Sequence, residues 1–186
     1  MSINFNKVSG GYQPTSDQQA ALQKLLAESD FLGISAYGSV SVPPQADDFS
    51  RLVNAFIADM KTQGVTVLKH LRLHFSEVGL GGGGKSGQPD DIAQTPADAA
   101  NSAWAGTSDP KKNPWVTAEM RDFRRSYHRA LVDFLRTQPS DHLITSAYLW
   151  NMGSWCPYGF LGDVAFADEE IGEMIRRHNA EVETRP

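Results

Sequence analysis

The run Leu71-Arg72-Leu73-His74-Phe75-Ser76-Glu77-Val78-Gly79-Leu80-Gly81-Gly82-Gly83-Gly84-Lys85-Ser86 could do two kinds of chemistry. Its first half is an apolar stretch closed by Glu77, and a carboxylate at a strand end can serve as nucleophile, general base or solvated charge. Its second half, Gly79 to Ser86, fits the G-x-x-x-x-G-K-[ST] pattern of a phosphate loop. A working phosphate loop needs a helix that opens at the Lys-Ser pair and aims its N–H groups at the phosphates. Here Ser86 is followed by Gly87-Gln88-Pro89, which opposes helix propagation. Four successive glycines meet so loose a pattern easily, so a flexible Gly-rich surface loop is the expectation and nucleotide binding an alternative.

Other reactive side chains are arranged for less. His70, His74, His128, His142 and His178 show no metal-ligand spacing, so no metal and no cofactor is expected. Ser35, Ser76 and Ser154 lie in no G-x-S-x-G elbow. Cys156 is the single cysteine, which excludes an intramolecular disulfide and leaves the compartment undetermined. A net charge of −5 with no basic block disfavours nucleic acid as a partner. The pairs Arg124-Arg125 and Arg176-Arg177 look like solvated helix faces. No apolar run approaches the ~20 residues of a membrane span, and Met1 to Phe5 lack the basic and apolar regions of a secretion signal.

The elements that must position these groups are legible as patterns. Ser16 can cap a helix carrying Ala21, Leu22, Leu25 and Leu26. From Ala46 to Gln63, Phe49, Leu52, Val53, Phe56, Ile57 and Met60 recur at helical spacing, and Gly64 supplies a stop. Met120, Phe123, Tyr127, Ala130, Leu131, Phe134 and Leu135 mark a helix from Thr117 to Thr137, and Ile171, Met174, Ile175 and His178 mark a shorter one. Between them lie three buried-strand candidates, Phe31 to Tyr37, Leu71 to Val78 and Leu143 to Trp150, with Ile3, Phe5 and Val8 as a weaker fourth. This alternation predicts an α/β fold of four βα units around a parallel sheet, forming one domain. The Gly-, Pro- and Ala-rich stretch from 79 to 116 reads as a long, partly mobile βα loop over the carboxyl edge of that sheet, where α/β active sites lie. Trp104 and Trp115 favour a loop that contacts a ligand.

Three strand ends together resemble the retaining glycoside hydrolases of the (β/α)8 TIM-barrel clan, which includes cellulases, mannanases and endo-galactanases. Ser29-Asp30-Phe31-Leu32-Gly33-Ile34-Ser35-Ala36-Tyr37 resembles the strand that carries the active-site tyrosine. His74-Phe75-Ser76-Glu77-Val78-Gly79 resembles the seventh strand, which ends in the nucleophile. Ala147-Tyr148-Leu149-Trp150-Asn151-Met152-Gly153-Ser154-Trp155 resembles the eighth, which supplies an aromatic sugar platform. The resemblance implies Glu77 as nucleophile, Tyr37 as its hydrogen-bond partner and Trp150 as the platform. Trp155, Asn151, Trp104 and His74 are further candidates for the same cleft. Regular strand alternation places His74 on the face opposite Glu77, which favours a structural role for it. The implied substrate is a β-linked oligo- or polysaccharide, cleaved with retention through a covalent intermediate. A second carboxyl roughly 5–5.5 Å from the nucleophile would serve as acid/base.

The likeness covers only the back half of a barrel. The clan's acid/base glutamate, preceded by asparagine, belongs upstream of Tyr37, and no Asn-Glu pair occurs there. A whole barrel takes about 250 residues, against 186 in this chain. The expectation is therefore a fragment, inactive alone, that self-associates or joins an N-terminal half-barrel partner. A non-catalytic carbohydrate-binding relative on the same scaffold is the competing reading.

Overall fold

The computed structural model of the chain describes residues 2–4 (backbone), 14–67, 71–86, 88, 91–138, 144–160 and 164–184. Phe5, Val8, His70, His142 and Leu143, which figure in the sequence patterns above, lie outside the described residues.

The chain folds as a mixed α/β structure around a parallel sheet in the order β1-β2-β3-β4. The strands are β1 (Ser2–Asn4), β2 (Phe31–Ala36), β3 (Arg72–Val78) and β4 (Ile144–Leu149). β1 is only three residues long and pairs with Gly33 to Ser35 at one edge; β4 forms the other. The helices are α1 (Ser16–Ala27), α2 (Ala46–Thr62), α3 (Pro96–Asn101), α4 (Ala118–Thr137) and α5 (Glu169–Glu183).

Local chemistry sets the helix ends. Thr15, not Ser16, caps α1 in a capping box with Gln18, each side chain satisfying the other's backbone N–H. Thr117 caps α4 through the Met120 N–H, and Asp168 caps α5 through the N–H groups of Glu170 and Ile171. Gly64, at φ 77°, ends α2 in the left-handed region where an L side chain is strained.

One core binds these elements to one face of the sheet. Leu26 of α1, Phe49 and Phe56 of α2 and Phe134 of α4 are buried with Leu32, Ile34, Leu73, Phe75 and Ile144 of the strands. Phe75 lies 6.3 Å from Phe49 and 5.9 Å from Phe134, ring to ring, and Phe49 meets Tyr127 edge-on at 5.3 Å. The opposite face carries a row of rings. Phe31 stacks on His74 at 4.5 Å, and His74 stands 6.3 Å from Tyr148. Phe31 is 40% exposed and Tyr148 57%.

Candidate functional site

The register of β2 against β3 contains the feature that shapes the site. Gly33 pairs with His74 and Ile34 with Phe75, but Ser35 pairs with Glu77, so Ser76 is an inserted residue. Gly33 and Ser35 share a face of β2, and the insertion therefore puts His74 and Glu77 on the same side of the sheet. Regular alternation predicted opposite sides, and the bulge overturns that expectation. Burial agrees, because Leu73, Phe75 and Val78 are buried while His74 and Glu77 are half-buried.

Tyr37 follows directly after β2 and donates its hydroxyl to Glu77 Oε2 across a long 3.5 Å. Burial, then the Glu77 charge, hold the Tyr37 hydroxyl well above the ordinary phenol range, so it remains a neutral donor. The segment after Tyr37 is pinned on both sides. Val40 N–H donates to Ala100 O of α3 at 3.0 Å, and buried Asp48 accepts from Ser41 N–H at 3.0 Å and Gln45 N–H at 2.8 Å. The Arg51 guanidinium pairs with the same carboxylate.

Trp150 joins the pair from the end of β4. Its N–H donates to Val78 O at 2.9 Å, so its backbone is locked to the residue after Glu77. Tyr37, Glu77 and Trp150 thus stand at the carboxyl ends of three successive parallel strands. Trp155 lies against Gly79 and Gly81 and donates its indole N–H to Ala103 O at 3.1 Å. Asn151 is exposed beside Trp150. Trp104 is 51% exposed on the 79–116 segment, whereas Trp115 is buried and holds that segment down. Its indole N–H donates to Ser154 O at 2.8 Å.

The glycine run that opens the 79–116 segment is packed, which corrects the expectation of a flexible surface loop there. Gly79 to Gly84 are all buried. A Cβ on Gly81 or Gly83 would overlap Ala105, and one on Gly82 would strike Trp115. The segment contains α3 and two bridges, Gly82 to Gly106 and Gly83 to Ile92. Close approach of backbones, not mobility, accounts for the glycines.

Among the described residues no helix opens at the Lys-Ser pair, as the phosphate-loop reading requires. Lys85 and Ser86 form a turn, and the next described helix begins at Pro96. Ser86 directs both its N–H and its hydroxyl at the Asp91 carboxylate, so these donors are already occupied.

Sequence reasoning missed a hub formed by Ser154 and Arg124. Ser154 Oγ donates to Gly81 O at 2.6 Å and accepts from Thr107 N–H at 2.9 Å, tying the 79–116 segment to the chain after β4. Arg124, expected on a solvated face, is 1% exposed. It donates to Phe166 O at 2.6 Å and Ser154 O at 3.2 Å, with its guanidinium 4.9 Å over the Trp115 ring. Burial lowers its pKa to about 10, so it is charged at neutral pH. Its spacing with Met120, Tyr127, His128 and Leu131 already placed it on the inner stripe of α4. Arg125 beside it reaches Asp168 at 3.0 Å and Glu170 at 2.7 Å.

Among the described residues no group of His, Cys, Asp and Glu is placed to hold a metal, and no helix is long and apolar enough to cross a membrane. Comparison with protein families, curated proteins and solved structures returns no match for this chain. The reading of the site therefore rests on its geometry and residue chemistry.

Proposed function

We propose that this chain is the C-terminal half of a retaining β-glycosidase-type barrel, acting on a β-linked oligo- or polysaccharide. The observation that carries the reading is the Tyr37–Glu77 pair at adjacent strand ends, with Trp150 anchored to Val78 on the next strand. A nucleophilic carboxylate must stay ionised and aimed, and a neutral phenol donating to one of its oxygens serves both needs. In this reading Trp150 and Trp155 would supply indole surface for the apolar face of a pyranose, with Trp104 and Asn151 as further contacts.

The sheet supports the barrel half of the reading. Parallel sheets are covered on both faces as a rule, yet here the helices share a core with one face while the other exposes Phe31 and Tyr148. In a closed barrel that second face would be the side-chain-filled interior. The acid/base carboxyl would then come from whichever chain completes the barrel, a second copy or an N-terminal half.

A non-catalytic carbohydrate-binding relative is the second reading, favoured by the 51% exposure of Trp104, since an aromatic platform binds sugar without a second carboxyl. Hydrolysis of dinitrophenyl β-glycosides separates the two, because so good a leaving group needs little proton donation. Release of dinitrophenolate by the chain, abolished in Glu77→Gln, supports the enzyme; sugar binding that quenches tryptophan fluorescence without release supports the binding protein.

A further inference from the structure

We propose that the groove between β4 and α5 seats the β1 strand of a second copy of this chain, so that two copies close one eight-stranded parallel sheet. The inference rests on the half-barrel part of the reading above and not on its glycosidase chemistry.

The groove encloses about 460 Å3. One wall is the whole of β4, from Ile144 to Leu149; the other includes Leu131 and Leu135 of α4 with Ile175 and Val182 of α5. α5 packs on α4 and faces β4 across this groove. Among the described residues, side-chain hydrogen bonds cap the outer edge of β4 at its first residue. Ile144 N–H donates to Gln138 Oε1 at 2.7 Å, and Ile144 O accepts from Gln138 Nε2 at 2.8 Å. A strand edge beside such a groove, lined by these aliphatic side chains together with His128, His178, Asn179 and Glu183, is a seat for another strand.

The order of the sheet selects the occupant. Among the described residues all pairings are parallel and sequential, so the two edges are β1 and β4. A second copy related by a two-fold axis along the strands lays its β1 on β4 and receives the first copy's β1 on its own β4. Both edges of both copies then close at once. Two such sheets give eight strands, the number at which side chains fill a barrel interior. Phe31, His74 and Tyr148 would become that interior.

Strands about 4.8 Å apart, rising about 3.3 Å per residue, give each exposed sheet face roughly 300–400 Å2. Two such faces together give at most about 600–800 Å2, to which the two edge grooves add, against the roughly 1,200 Å2 at which standard interfaces begin.

The test is sedimentation velocity on the whole chain and three variants. Val182 is 48% exposed and Tyr148 lies at the exposed face, so changing either leaves the core of a single copy intact. The expected results are a wild-type species of twice the 20.4 kDa chain mass, dissociation in Val182→Glu and Tyr148→Glu, and retention of the dimer in Val182→Ala. Unchanged far-ultraviolet dichroism would show that the charged variants still fold. A wild-type monomer at high micromolar concentration would overturn the proposal, as would a dimer indifferent to both charged substitutions. The readout is mass, so a dimer that never takes a sugar label would contradict only the glycosidase reading, and a labelled monomer only this one.

Discussion

Tyr37 and Glu77 meet hydroxyl to carboxylate at 3.5 Å, although forty positions separate them in the chain. Two features bring them together: parallel pairing of β2 with β3, and the extra residue Ser76 that turns Glu77 toward the face of Gly33 and Ser35. If this pair is a tuned nucleophile, Tyr37→Phe should leave the fold intact and slow glycosylation of Glu77 by about ten- to a hundredfold, the worth of one hydrogen bond to a charged group. The rate of adduct formation, measured by mass spectrometry at several reagent concentrations, checks this. An unchanged rate would reduce Tyr37 to a packing residue.

Acid should destabilise the protein in a window set by His128. The ring is 1% exposed, and its Nδ1 lies 2.9 Å from Arg124 O. Burial, then the Arg124 charge, lower its pKa to about 4. In the unfolded chain a histidine takes up its proton near 6.5. The folded state therefore keeps this stability above pH 6.5 and loses it as pH falls toward 4, by up to about 3 kcal/mol. Burial and the Arg72 charge shift His74 in the same direction, so the decisive quantity is the wild-type profile minus that of His128→Phe. Urea midpoints between pH 7 and 4 should fall less steeply in the variant.

Arg124 should resist conservative replacement. Its fork reaches two carbonyls while its plane covers Trp115, which a lysine ammonium cannot do. Arg124→Lys should cost about 2–3 kcal/mol in urea denaturation, since at least one buried carbonyl is left without a donor. The same change should loosen the Gly153–Trp155 turn and shift tryptophan emission.

The glycine run and the lysine after it should behave oppositely. Gly81→Ala forces a methyl group into the Ala105 carbonyl and Trp155, and should destabilise by about 1–3 kcal/mol. Lys85 is exposed, and Lys85→Ala should stay within about 0.5 kcal/mol of wild type. ATP with Mg2+ should raise the melting temperature of neither protein. A nucleotide-dependent rise lost in Lys85→Ala would reinstate the phosphate-loop reading.

The elements were legible because their apolar spacing is strong. The 46–62 and 118–137 helices and the three longer strands lie within a residue or two of their predicted bounds. What stayed hidden depends on tertiary contact. The Ser76 bulge is written in register, not in composition, so counting along a regular strand misplaced His74 relative to Glu77. The glycines from 81 to 84 signal freedom when read alone, and only the strip from Ala103 to Gly106 packed against them reveals tight approach. Arg124 was overlooked because a charge on a helix usually faces water. Its position on the inner stripe was the available signal.

The most direct test of the central claim is intact-mass labelling with 2-deoxy-2-fluoro β-glycosides bearing a dinitrophenolate leaving group, in the gluco, galacto and manno series. The account predicts a one-sugar gain mapped to Glu77, lost in Glu77→Gln and slowed in Tyr37→Phe. No adduct from any of the three reagents, on protein whose fold is verified by circular dichroism and whose association state is known, would contradict it.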